Sequence, residues 1–189
     1  MIGGVSVEAA AGSCVHLAGP NGSGKTTLLR VLAGFLEPEE GTVTWSGRPI
    51  GADRDAYHAS FSYLAHSDGL KPELTARENL VFDVGMRRRL GVTEPDEALK
   101  RVGLTAARDH VAAVLSAGQR RRLAMARVKL TAAPLWLLDE PFTNMDSAGV
   151  ALVSAMIGAH LDCGGAVLMA AHQLPSIPNH APRRVELGT

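Results

Sequence analysis

Residues 19–26 read Gly19-Pro20-Asn21-Gly22-Ser23-Gly24-Lys25-Thr26, a match to the GxxxxGK[ST] pattern of a phosphate-binding loop. Three glycines let the backbone curl so that successive N–H groups face phosphate oxygens. The start of the helix that follows adds partial positive charge. In such a loop Lys25 reaches the β- and γ-phosphates of a nucleotide and the Thr26 hydroxyl ligates Mg²⁺, with Thr27 completing the binding stretch. The pattern has meaning only between a strand and a helix. Both are legible here: Ser13 to Ala18 is a short apolar strand, and a helix starts near Lys25 and ends around Gly34. The loop predicts nucleotide binding; taken alone it also fits a small-molecule kinase.

Outward from the loop, short apolar runs alternate with helical stretches, the pattern of an α/β protein with a parallel sheet. Residues 41–45 and 61–65 read as further strands. Thr75-Ala76-Arg77-Glu78 is a capping box, in which hydroxyl and carboxylate each satisfy an orphan N–H. It opens a helix expected to reach about Arg89, and 95–102 form another. Ser116-Ala117-Gly118-Gln119 is a second capping box, opening a helix to about Leu130. A buried strand over 135–138, a helix over 147–161 and a strand over 166–171 follow. The helix-rich middle, about 67–120, breaks the alternation. It predicts a helical subdomain inserted into a single domain spanning 1–189.

The strand Leu135-Trp136-Leu137-Leu138 delivers Asp139 and Glu140 to its C-terminal end, the edge where ligands bind in open α/β sheets. Asp139 is expected to hold Mg²⁺ through its water shell, because Mg²⁺ dehydrates reluctantly. Glu140, one residue on, is then free to orient and deprotonate an attacking water. His172 follows the next apolar strand, placed to hydrogen-bond a γ-phosphate.

Leu115-Ser116-Ala117-Gly118-Gln119 resembles the LSGGQ signature of ABC ATPases, with Ala117 in place of one glycine. The order of phosphate loop, signature, Leu-Leu-Asp-Glu-Pro, Asp146 turn and His172 extends the resemblance over nearly the whole chain. It implies an ABC ATPase core of the P-loop NTPase class, with a parallel sheet, an inserted helical subdomain and a small antiparallel part. It also implies a head-to-tail dimer, with ATP held between the loop of one copy and Ser116, Gly118 and Gln119 of the other. Asp146 communicates across that dimer. Where most of the family carries a glutamine that touches Mg²⁺, this chain has His66, able to contact a metal-bound water when neutral and repelling Mg²⁺ once protonated. The family's first strand and adenine-stacking aromatic have no counterpart among the 18 residues before Gly19, which include no Tyr, Phe or Trp. The antiparallel part is therefore expected to be shortened at its N-terminal end, with weaker base discrimination and an exposed edge.

Within ABC ATPases the closer resemblance is to the haem-exporter subunits of bacterial cytochrome c maturation, the CcmA family. It is carried by 62–66, 69–80, 115–122, 133–143 and 171–173, including His66, Ala117 and Phe142. It implies a multi-span permease met by residues 66–79, haem-handling maturation proteins as partners, and a peripheral place on the cytoplasmic face of the bacterial inner membrane. An ATPase subunit of another ABC importer or exporter shares the general motifs, and an ABC ATPase acting on DNA or ribosomes is the alternative of another class.

Composition narrows these readings. Lys plus Arg and Asp plus Glu both total 19, so no chain-wide electrostatic footprint for nucleic acid exists. The runs 87–89 and 120–122, all arginine, read as solvated helix faces. Hydrophobic residues make up 46% and aromatics 4%, so Leu, Val and Ala must fill the core. Cys14 and Cys163 have no CxxC or metal spacing, as in a reduced cytoplasmic protein. No run approaches a membrane span, and Met1 to Glu8 lacks a basic, then apolar, leader pattern. Without CxxCH and with scattered histidines, no direct haem binding is expected.

Overall fold

The computed structural model describes residues 4–188; Met1 to Gly3, and anything expected ahead of them, lie outside the described residues. The main sheet runs in the order β4 (Phe61–Leu64), β5 (Leu135–Asp139), β6 (Ala166–Ala170), β1 (Cys14–Ala18), β7 (Arg183–Glu186), all parallel. Every residue of β1, β5 and β6 is buried, as strands covered on both faces require. Val15 and Leu17 join Leu29, Phe61, Leu137 and Leu168 on one face. Cys14, Trp136, Leu138, Val167 and Met169 pack with Met125, Val153 and Ile157 on the other. The period-2 alternation of the strands thus divides the core into two layers.

The first layer is covered by α1 (Lys25–Leu32) and α2 (Arg54–Ser60), the second by α5 (Ala117–Leu130) and α6 (Ser147–Asp162). A third cluster is helical, formed by α3 (Ala76–Gly85), α4 (Glu94–Arg101) and the far side of α5 around Leu80, Val84, Leu99, Leu104 and Leu123. α5 therefore serves two cores at once: Ala124, Met125 and Val128 face the sheet, Leu123, Ala126 and Leu130 face the helices.

The register matters most for function. Leu17 and Asp139 both lie opposite Ala170, so the ends of β1, β5 and β6 are level and their following loops meet at one edge.

Several boundaries differ from the sequence reading. The antiparallel part is a hairpin of β2 (Thr44–Trp45) and β3 (Arg48–Pro49), shorter than the strand expected over 41–45. Its turn residues Ser46 and Gly47 both have positive φ, as a type I′ hairpin needs, and Pro49 cannot donate to continue the ladder. α3 ends at Gly85 instead of near Arg89. Arg88 turns out of the helix and caps the C-terminus of α5, with Nε donating to Leu130 O at 2.9 Å. α2 and β7 carried no expectation; α2 is begun by the Asp53 carboxylate accepting from Ala56 N–H at 3.0 Å.

Candidate functional site

The phosphate loop leaves β1 at Ala18 and enters α1 through glycines with φ of 144° at Gly19, 81° at Gly22 and 94° at Gly24. A Cβ on Gly19 would overlap the carbonyl oxygen of Leu187, so only glycine admits the chain that follows β7, whose Leu187 N–H donates to Ala18 O at 2.8 Å. α1 has no side-chain cap and no acidic residue in its first turn. By contrast α2, α3, α5 and α6 are each capped by a side chain, Asp53, Thr75, Ser116 and Asp146. The N–H groups of α1 are thus left for an external acceptor. The Ser23 hydroxyl is buried with no hydrogen-bond partner, and Lys25, itself buried, turns its Nζ onto its own loop, donating to Gly19 O at 2.7 Å and Pro20 O at 2.8 Å. An orphan hydroxyl, an open helix start and a buried ammonium in one cradle fit a polyphosphate.

Across the edge, Thr26 Oγ1 donates to Asp139 Oδ2 at 2.9 Å, and Asp139 is only 2% exposed. A hydroxyl beside a carboxylate is a hard-oxygen donor pair suited to Mg²⁺. Among the described residues no group of three His, Cys, Asp or Glu side chains converges, so a cation here would complete its shell with phosphate and water oxygens. Glu140 follows with φ 51°, a left-handed conformation uncommon for a non-glycine residue. Its N–H donates to Ala170 O at 2.8 Å. Its carboxylate accepts from the His172 N–H at 3.3 Å, and the His172 ring Nε2 lies 3.7 Å from the other oxygen. A carboxylate and an imidazole thus stand together beside the loop, a pair able to orient water and contact an oxyanion.

Among the described residues, Ser116, Gly118, Gln119, Asp146 and His66 make no hydrogen bond to this group. The capping box of α5 is formed in both directions, Gln119 N–H to Ser116 Oγ at 3.2 Å and Ser116 N–H to Gln119 Oε1 at 2.8 Å. The Ser116 hydroxyl accepts inward and keeps its proton for an outside partner. A Cβ on Gly118 would come within 2.8 Å of Asn144 O, so this turn is packed against the loop before α6. Asp146 caps α6, accepting from Gly149 N–H at 2.8 Å. His66 is exposed on the loop after β4.

Of the arginine runs, 87–89 keeps Arg87 and Arg89 exposed, whereas 120–122 is not a solvated face. Arg87 donates to His58 O and Phe61 O, Arg122 to Val102 O, and Arg121 is 2% exposed. The Arg121 guanidinium donates to Ala65 O at 2.9 Å, Asp68 Oδ1 at 3.0 Å, Glu140 O at 2.7 Å and Asp139 O. Burial pulls its pKa down while the Asp68 carboxylate opposes that shift. No local signal marks it: Arg121 lies two residues past Gln119 within a run of three arginines, and only the packing on both faces of α5 encloses its side chain. Among the described residues no helix is long and apolar enough to cross a membrane.

The family described as ABC transporter matches residues 2–143. The cytochrome c biogenesis ATP-binding export protein CcmA of Nitrosococcus oceani is 46% identical over 166 residues, 88% of this chain and 76% of that protein. CcmA of Vibrio cholerae is 44% identical, over 97% of this chain and 89% of that protein. Among solved structures, an ATP-binding subunit of an ABC transporter superposes with a TM-score of 0.86 at 24% identity, covering 97% of this chain and 78% of the other. The dimeric MJ0796 bacterial ABC transporter cassette gives 0.84 at 25% identity, covering 96% and 83%.

Proposed function

This chain belongs to the ABC transporter family of ATP hydrolases, and within it to the CcmA proteins; from that premise we propose that it powers haem export or delivery for c-type cytochrome biogenesis. One observation carries the enzymatic part: Thr26–Asp139 and Glu140–His172 stand at one sheet edge beside the open start of α1. The assignment to cytochrome c biogenesis is supported by the names of relatives matched over most of their length.

ATP lies on residues 19–27, with the N–H groups of the loop and α1 on its phosphates and the Ser23 hydroxyl given a partner. Lys25 exchanges the Gly19 and Pro20 carbonyls for β- and γ-phosphate oxygens. Thr26 and Asp139 would hold Mg²⁺, with His66 reaching its water shell; the ion supplies charge neutralisation at the phosphate oxygens. Glu140 aligns a water with the γ-phosphorus and takes its proton. The new P–O bond forms as the bond to the β-phosphate oxygen breaks, releasing ADP and phosphate. His172 donates to a γ-phosphate oxygen. Ser116, Gly118 and Gln119 of a second copy close the site, and Asp146 lies on the path between the two sites. Residues 66–79 meet a multi-span permease at the cytoplasmic face of the bacterial inner membrane, with haem-handling maturation proteins nearby; this subunit itself binds neither haem nor nucleic acid.

The test is capture of the Glu140→Gln variant with ATP from its own solubilised membranes, followed by mass spectrometry. Recovery of a multi-span permease with haem-handling proteins is the expected result. A permease with an unrelated binding protein would move the chain to another transporter, and ribosomal or DNA-repair partners would end the transport reading.

A further inference from the structure

The structure leaves one buried cation unused by this mechanism. Arg121 sits inside α5, five residues beyond the signature serine, with both terminal nitrogens engaged. One nitrogen holds the loop after β4, through Ala65 O and Asp68 Oδ1. The other holds the end of β5, through Asp139 O and Glu140 O. Three segments far apart in sequence therefore meet on one planar fork, a geometry that lysine cannot reproduce.

We propose that Arg121 is the positioning residue of the hydrolytic step, holding the Glu140 backbone in its left-handed conformation and tying that conformation to Asp68. Glu140 has φ 51°, a conformation that persists only where the surroundings over-determine it. Its N–H is fixed by Ala170 O and its carbonyl accepts from Arg121 and from Thr143 N–H at 3.2 Å. Of these, the Arg121 bonds alone come from outside the strand edge and its turn. Losing them frees the peptide that aims the carboxylate. Rotation there moves the carboxylate off the line of attack while the phosphate loop, held by β1 and α1, stays as it is. Asp68 orients the fork from the other end, at 3.0 Å. A shift of the loop carrying His66 and Asp68 is thereby felt at Glu140 through a single side chain.

The inference rests on Glu140 as the base, and the experiment separates the two. Steady-state hydrolysis of Mg²⁺-ATP is measured on the full chain for Glu140→Gln, Arg121→Gln, Arg121→Lys, Asp68→Asn and the double variant Arg121→Gln/Glu140→Gln. Arg121→Gln is expected to lower kcat ~10- to 100-fold, the range for small misplacement of a reacting group, with KM for ATP unchanged. Arg121→Lys does not rescue it, Asp68→Asn causes a smaller loss of kcat alone, and the double variant is no slower than Glu140→Gln. Full kcat in folded Arg121→Gln, a KM rise that accounts for the loss, or an additive loss in the double variant would overturn the inference. Should Arg121→Gln fail to fold, Asp68→Asn decides by the same split, and an unchanged kcat there overturns it. Retained hydrolysis in Glu140→Gln would instead remove the base, and the positioning role with it.

Discussion

At the scale of single residues, space is as decisive as charge. Gly118 lies in the first turn of α5 with Asn144 O only 2.8 Å from where a Cβ would stand, and backbone cannot yield as a side-chain tip does. Gly118→Ala is expected to push the signature turn off the loop before α6, at a stability cost of about 1–3 kcal/mol. A lower melting temperature and a reduced rate of hydrolysis check this; an unchanged melting curve would show that the turn moves freely. The neighbouring Ala117 occupies the first helical position, where alanine is a good helix former, which explains why the general LSGGQ pattern tolerates it. Lys25, Thr26, Asp139, Glu140 and His172 were legible because their residue types follow from phosphate chemistry at fixed spacing. Arg121 was not, because a charge within a run of three arginines reads as solvated until the packing on both sides of α5 is known.

At the scale of elements, helix starts were the most legible feature. Both capping boxes, at Thr75 and Ser116, form as their Ser/Thr-x-x-Glu/Gln spacing dictates. Their ends were less so: α3 stops at Gly85 because Arg87 and Arg88 are drawn to carbonyls of other elements. The helical layer is further joined by Asp96 of α4, which accepts from Arg108 Nε at 2.6 Å and lies 3.3 Å from Arg77 of α3. The hydrogen bond from Arg108, with the charges of Arg108 and Arg77, holds the Asp96 carboxyl below its usual range. A depressed carboxylate adds stability above its unfolded pKa and loses it as pH falls through the lower folded value. Asp96→Asn is therefore expected to lower the melting temperature at pH 7, with the difference from the unmodified chain shrinking as pH drops through the acid range. A difference that stays constant with pH would exclude the ionic origin.

At the scale of the whole molecule, the proposed site would be completed by a second copy. The Ser116 turn bonds within itself and packs against Asn144, while Lys25 bonds back to Gly19 and Pro20 of its own loop. Neither part supplies the other with a partner, so closure over a γ-phosphate is expected to call for a second chain. Hydrolysis is expected to rise more than linearly with protein concentration until dimers saturate. Mixing Lys25→Ala with Ser116→Arg, each inactive alone, should regain part of the rate, since the mixed head-to-tail dimer holds one site with both intact parts. A linear dependence, or no recovery on mixing, would place the complete site within a single chain.

The sequence by itself determined the phosphate loop, the acid pair, both capped helices and the alternation that makes the sheet parallel. Each is a local consequence of residue type and spacing: glycine for φ, hydroxyl and carboxylate for orphan N–H groups, apolar runs for strands buried on two faces. Tertiary structure alone decided what no local pattern encodes. It set β1, β5 and β6 level so that Thr26 meets Asp139 and Glu140 meets His172. It drew β7 to the edge of β1 and buried Arg121 between the loop after β4 and the end of β5. These follow from strand register and from the two-sided packing of α5, which depend on contacts between residues tens of positions apart and leave no periodic trace along the chain.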